Sequence, residues 1–298
     1  MINAIGNTPT VRLKRIERLL GEVELYAKCE YMNPGGSIKD RAAAAILTKA
    51  REDGILKPQG KVVTATSGNF GISLSMLCAH LGYKATVVMP TSASEERVCL
   101  VRAYGGEVKL VDGGMAEAIK VARGVTAATG ALCLDQFTSY ESVKCHYTGT
   151  GREIWRNMQS KIDIFVAGVG TGGTLVGAGS FLKKCNSRLK IYAVEPSESP
   201  VLSGGKAQKH GIEGIGADLI PPLFNREIVD GIVGVSLDES IEALRLLAKE
   251  EGIFAGVSTG ASLAAIIRLS KTGKLKNKRV VLIIADGGER YFSRGVID

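Results

Sequence analysis

The feature that most constrains this chain is an alternation of two hydrophobic periods. Apolar runs of strand length are repeatedly followed by stretches with helical spacing. Lys61 to Ala65 (KVVTA) precedes a helical Gly71 to Leu81, and Lys84 to Met89 precedes Glu95 to Tyr104. Glu107 to Val111 precedes Ala116 to Thr129, and Asp163 to Ala167 precedes Thr174 to Cys185. Lys190 to Val194 comes next, then helices over Ser240 to Glu251 and Gly260 to Ser270, then a strand over Val280 to Ile284. Short strands without polar alternation are buried on both faces, and the helices between them supply the crossovers. The pattern predicts an α/β fold with largely parallel sheets covered on both sides. Glu195 to Pro222, rich in Gly, Ser and Pro, is predicted as a long loop, and such loops in compact domains are often functional.

Composition removes several classes of function. With 298 residues and 45% hydrophobic content the chain can bury a large core in one or two domains. Its longest apolar run, Arg279 to Asp286, is strand length. That falls well short of the roughly 18 residues of a membrane helix. No basic segment precedes an apolar one at the N-terminus, so the expected compartment is the cytoplasm, with no membrane partner. Cys29, Cys78, Cys99, Cys133, Cys145 and Cys185 form no Cys-x-x-Cys pair, and His80, His146 and His210 lack ligand spacing. Neither a disulfide framework nor a metal site is predicted. The formal net charge is +8, but the basic residues are scattered among acids and aromatic content is 5%. Nucleic-acid binding is therefore not expected, and the charge suits anionic small substrates instead.

Three glycine-rich turns carry the chemistry. The first is Asn33-Pro34-Gly35-Gly36-Ser37-Ile38-Lys39-Asp40-Arg41, leading into a helix predicted from Ser37, its N-cap, to about Glu52. Lys39 then sits in the first turn, where the helix dipole disfavours a cation and makes the amine a better nucleophile. The second, Thr66-Ser67-Gly68-Asn69-Phe70-Gly71, gathers hydroxyls and N–H groups at a helix start, an arrangement that binds anions. The third is Gly168-Val169-Gly170-Thr171-Gly172-Gly173-Thr174, again between a strand and a helix. Its bare backbone suits a phosphate. It also matches Gly-x-Gly-x-x-Gly at Gly168, Gly170 and Gly173, with Glu195 after the next strand. That pattern keeps an NAD-dependent dehydrogenase in play as a rival reading.

Taken together, the ordered motifs resemble the cysteine synthases (O-acetylserine sulfhydrylases) and the cystathionine β-synthases, fold-type II pyridoxal-phosphate enzymes. Besides the three turns, the likeness includes Ile5 to Pro9, Gln136-Phe137, Thr150 to Ile154, Ala193 to Pro196, Ser199 to Gly205, Gly214 to Ala217, Gly256 to Ala261 and Glu289-Arg290-Tyr291. The resemblance implies pyridoxal 5′-phosphate as cofactor, carried on Lys39, which also serves as the base at Cα. It implies that Asn69 bonds the pyridoxal 3′-oxygen and that Gly170, Thr171, Gly172, Gly173 and Thr174 hold the phosphate. Thr66, Ser67, Asn69 and Gln136 would hold the substrate carboxylate. It further implies two three-layer α/β domains with the cofactor in the cleft. Residues 35–143 would be the smaller mobile domain and residues 1–34 plus 144–298 the larger. The implied activity is β-replacement on a β-substituted L-alanine, chiefly cysteine synthesis from O-acetyl-L-serine and sulfide. The implied assembly is a homodimer, with serine acetyltransferase as a further partner.

Three positions depart from the sulfhydrylase pattern. Gly287 stands where a serine usually bonds the pyridine nitrogen. Phe70 replaces a threonine, which is expected to remove a hydroxyl from the carboxylate site. Asp218 follows Gly216-Ala217 where glycine is usual, as in cystathionine β-synthases. A carboxylate there would assist poorer leaving groups, so L-serine or L-cysteine is an alternative first substrate. No fused regulatory or heme-binding extension is expected.

Overall fold

The computed structural model describes residues 1–295. In chain order its regular elements are β1 (Thr10–Arg12), α1 (Lys14–Leu20), β2 (Val23–Cys29), α2 (Lys39–Glu52), β3 (Lys61–Ala65), α3 (Asn69–Leu81), β4 (Lys84–Pro90), α4 (Glu95–Ala103), β5 (Glu107–Val111) and α5 (Met115–Thr129). There follow β6 (Leu132–Cys133), α6 (Glu141–Cys145), α7 (Gly151–Asn157), β7 (Ile164–Gly168), α8 (Gly173–Cys185), β8 (Lys190–Pro196), β9 (Gly231–Val235), α9 (Leu237–Glu251), α10 (Val257–Ser270) and β10 (Lys278–Ile284). Two sheets form, in the orders β1-β2-β10-β7-β8-β9 and β5-β4-β3-β6. Among the described residues, every pairing within these sheets is parallel except β1–β2. No helix among the described residues is long and apolar enough to cross a membrane.

Both faces of each sheet are covered, as the unbroken apolar strands predict. In the larger sheet Leu25, Val166, Val194 and Leu282 pack with Ile16, Leu247 and Ile266 of the helices on one side. Their neighbours Phe165, Ala167, Ile191 and Val281 pack with Ile154, Leu175 and Leu182 on the other. In the smaller sheet Val62 joins Leu47 and Leu74 of α2 and α3, while Val63 and Val88 join Ala118 and Ala122 of α5. The long segment between β8 and β9 has no helix or strand before a short turn at Arg226–Ile228, as its composition predicts.

Where sequence periodicity fails, the structure gives a reason. β2 reads VELYAKC, and its charged Lys28 is fully buried. Lys28 Nζ donates to Glu153 at 2.6 Å, and Arg41 bonds both Glu153 and Glu30 at 2.7–2.8 Å. Burial pushes Glu153 upward, but the hydrogen bonds and charges of Arg41 and Lys28 outweigh it and hold the carboxyl at about 2. This paired cluster fastens the start of α2 to β2 and α7. Removing one partner of such a cluster leaves an uncompensated buried charge.

The carboxyl ends of β7 and β10 and the start of α3 open onto one cavity. That is where parallel α/β sheets place ligands, because helix N-termini and flexible turns converge there.

Candidate active site

Lys39 lines this cavity at the first position of α2. The preceding turn is tied to the exit of β10. Ile38 N donates to the Ala285 carbonyl at 2.8 Å, and Ser37 pairs with Asp286 as an isolated antiparallel bridge. The N-cap is Ile38, not Ser37 as predicted; the Ser37 hydroxyl instead accepts from Lys39 N at 3.3 Å. The helix starts later because the β-bridge holds Ser37 outside it. Asp40 accepts from Gly35 N at 2.6 Å and from the Ser73 hydroxyl at 2.5 Å, and burial raises it to about 6. Burial also pushes the Lys39 amine down to about 8, with Cys145 and Asp286 opposing in part. The depressed amine expected from the helix dipole is present, but desolvation is its main cause.

At one end of the cavity lies the turn Gly168–Thr174, from which Gly168, Gly170, Thr171, Gly172 and Thr174 line it. A Cβ on Gly170 would collide with the Gly214 carbonyl oxygen, and Gly172 adopts a left-handed φ of +86°. A Cβ on Gly173 would come within 3.1 Å of the Ser142 carbonyl. Side chains are thus kept out, and main-chain N–H groups at the start of α8 stay open to an anion. Behind this cradle stands His146, which the sequence reading passed over. It sits on a π-helical turn, His146–Thr150, between α6 and α7. Its Nε2 lies 3.2 Å from Thr174 Oγ1 and its Nδ1 2.9 Å from Thr150 Oγ1. Burial first, then Arg41 and Lys39, hold its pKa well below the ordinary histidine value, so the ring is neutral. The only local signal was the four-residue spacing of His146 and Thr150.

At the other end side chains converge. Asn69, Asp286 and Tyr291 line the cavity. Asn69 Nδ2 donates to Asp286 Oδ2 at 2.7 Å, and the Tyr291 hydroxyl donates to the same oxygen at 2.8 Å. Arg290 Nη1 donates to Asn69 Oδ1 at 2.7 Å. Arg97 of α4 lies 4.6 Å above the Tyr291 ring, 3.7 Å from Asp286, and pairs with Glu213. Burial and the Asp286 charge raise Tyr291 well above its ordinary range, which keeps it a donor. Sequence reading saw Glu289-Arg290-Tyr291 only as part of a likeness, and gave Arg97 no role.

The remaining expected residues are placed as follows. Thr66 and Gln136 are buried and follow the neighbouring strands β3 and β6, while Ser67 is half-buried. Thr66 Oγ1 accepts from Gly68 N at 3.1 Å, and Gln136 Oε1 is buried without a partner among the described residues. None of the three lines the cavity beside Lys39. Phe70 is 1% exposed in the core of the smaller sheet, so its ring fills packing space and does not face the site. Gly287 pairs with Ala255 across an isolated bridge, and a Cβ there would collide with the Glu289 carboxylate. Gly214 and Ile215 line the cavity, but Asp218, farther along that loop, is exposed and outside the lining. Glu195, the acid of the dinucleotide pattern, is buried and spent on Leu202 N at 2.7 Å, Ser203 N at 3.1 Å and the Ser203 hydroxyl at 2.5 Å. It is unavailable to a ribose, which removes the physical basis of the dehydrogenase reading.

A depressed lysine amine, a bare-backbone anion cradle and a cluster of ring-end side chains share one cavity. Asp286 Oδ1 there is buried without a partner among the described residues, and a bound group bringing a donor would satisfy it. These residues fit pyridoxal phosphate: an amine for its aldehyde, a cradle for its phosphate and polar groups for its ring. The chain belongs to the pyridoxal-phosphate dependent enzymes, whose family model matches residues 1–286. Among individual relatives, it is 45% identical to a cysteine synthase of Staphylococcus aureus over 293 residues, 97% of this chain and 94% of that one. Its structure superposes with a TM-score of 0.95 on a hydrogen sulfide-producing enzyme of Fusobacterium nucleatum, at 38% identity and 98% coverage of both chains. For O-acetyl serine sulfhydrylase isoform 3 of Entamoeba histolytica the TM-score is 0.93 at 35% identity, covering 99% of this chain and 90% of the other.

Proposed function

We propose that the chain catalyses β-replacement on a β-substituted L-alanine, with cysteine formation from O-acetyl-L-serine and sulfide as its main reaction. The observation that carries the reading is the Lys39 amine, lowered to about 8 by burial, in the same cavity as the Gly168–Thr174 cradle. The 45% identity to the Staphylococcus aureus cysteine synthase supports the choice of substrates. Bound there, pyridoxal phosphate would supply an electron sink that acidifies the α-carbon of an amino-acid substrate. Lys39 holds the cofactor at rest. Its Nζ would take the proton from the substrate Cα and later return it to the same carbon. Gly170, Thr171, Gly172, Gly173 and Thr174 hold the phosphate through main-chain N–H groups and hydroxyls. Asn69 would hold the 3′-oxygen. Thr66, Ser67, Asn69 and Gln136 hold the substrate carboxylate beyond the carboxyl ends of β3 and β6. Residues 35–143 move toward residues 1–34 plus 144–298 on substrate binding, which keeps water from the reacting carbons. The enzyme works as a cytoplasmic homodimer, with serine acetyltransferase as a partner.

A second reading takes L-serine or L-cysteine as first substrate. It is favoured by Asp218 on the loop that supplies Gly214 and Ile215, and by the likeness to a hydrogen sulfide-producing enzyme. One pair of assays separates the two. Cysteine formed from O-acetyl-L-serine and sulfide supports the first, and faster sulfide release from L-cysteine alone replaces it with the second. Activity with none of these substrates overturns both.

A further inference from the structure

A primary amide presents an acceptor and a donor of nearly the same shape, so its orientation must be argued from its neighbours. At Asn69 both neighbours have only one role to offer. Arg290, 2.7 Å from Oδ1, has donors alone. Asp286, 2.7 Å from Nδ2, is a carboxylate that also accepts from the Tyr291 hydroxyl. Turning the amide over would set its NH2 against a guanidinium and its oxygen against a carboxylate. Two charge-assisted bonds would become two repulsive contacts.

We infer that Arg290 and Asp286 lock the Asn69 amide in one orientation, leaving its second Nδ2 hydrogen as a fixed donor for the cofactor's 3′-oxygen. The inference rests on the assignment of Asn69 proposed above and adds the positioning residues that make it work. Room for the lock is carved by glycine. At Gly36, held at φ +76°, a Cβ would strike Arg290 Nη2, and at Gly256 it would strike Asp286 Oδ1. Arg290 Nη2 also donates to the Gly35 carbonyl in the turn before Lys39. One guanidinium therefore orients the donor to the 3′-oxygen and braces the segment that carries the amine. A fixed donor stabilises the ionised oxygen over the neutral one, so the lock sets the balance between the two absorbing forms of bound cofactor.

The test uses the holoenzyme, its absorption spectrum and its cofactor dissociation constant, with thermal melting as a check of folding. Asn69→Asp, which keeps the shape and lacks the donor, is expected to raise the neutral-oxygen form and weaken retention by about tenfold or more. Arg290→Gln combined with Asp286→Asn leaves neighbours that can take either role, and is expected to shift the spectrum the same way. Arg290→Lys, which keeps a donor, is expected to retain most of the original form. If Arg290→Gln does not fold, Asp286→Asn alone reads the same quantity with a smaller shift, and no shift there overturns the proposal. A spectrum that moves with Asn69→Asp but not with the double variant also overturns the lock, while sparing the role of Asn69. A spectrum unmoved by Asn69→Asp overturns both.

Discussion

At the cradle end of the cavity the lining comes chiefly from one continuous, glycine-rich segment, Gly168–Thr174. At the opposite end it comes from side chains on two separate stretches, Asn69 and the pair Asp286 and Tyr291, with Arg97 packed on the Tyr291 ring. The cradle works by what is missing. Glycine lets backbone approach backbone, and the helix start supplies the donors. The ring end works by convergence, since both ends of the Asn69 amide have their roles fixed by partners distant in sequence. A main-chain site is therefore intolerant of added atoms, whereas a side-chain site is sensitive to lost partners.

The largest expected effect lies at the cradle. Gly170→Val forces a branched side chain against the Gly214 carbonyl, where only main chain could yield. Overpacking of ~1–3 kcal/mol adds to lost hydrogen bonds to a charged group. Cofactor affinity is expected to fall by on the order of a thousandfold, measured by equilibrium titration of the apoenzyme. Loss of tenfold or less would show that the cradle is not built from bare backbone.

Between the two ends stands Lys39, where burial acts on the apoenzyme directly. Its folded pKa of about 8 lies below the ordinary lysine value of 10.5. The unfolded chain then binds more protons between those two values, so stability rises as pH climbs through that window. Below about 8 the full penalty is present. Lys39→Met should therefore stabilise the apoenzyme at pH 7 by at most about 3 kcal/mol, with the advantage fading toward pH 10.5. Denaturant titrations at the two pH values check this. The same difference at both would mean that packing, not desolvation of the amine, separates the two proteins.

The smallest effect is expected at Asp218, which belongs to neither end and is exposed. Asp218→Asn should lower turnover of L-cysteine or L-serine by about a hundredfold, the low end of general acid–base assistance. Turnover of O-acetyl-L-serine should change little, because acetate leaves without help. Equal losses with all three substrates would make the residue structural.

The same contrast explains what was legible in the sequence. The strands β3, β4 and β5 and the three glycine turns declare themselves within a few residues, because apolar runs and missing side chains are local properties. β2 hides because Lys28 breaks its apolar pattern and is neutralised by Glu153, far along the chain. Arg290 was visible only as part of a motif, since its partners Asn69 and Gly35 are brought to it by the fold. His146 looked like one histidine among three until α8 set Thr174 beside it. Phe70 was read as a lost hydroxyl, because sequence does not reveal that its side chain turns into the core.

The central claim is that one amine, Lys39, carries the cofactor between these two ends. Reduction of the holoenzyme with borohydride, followed by peptide mass mapping, tests it most directly. The visible absorption is expected to be lost while a reduced pyridoxyl group stays attached to the peptide containing Lys39, and Lys39→Met is expected to show no attachment. Attachment at another lysine, or complete release of the cofactor on denaturing the reduced protein, would contradict it.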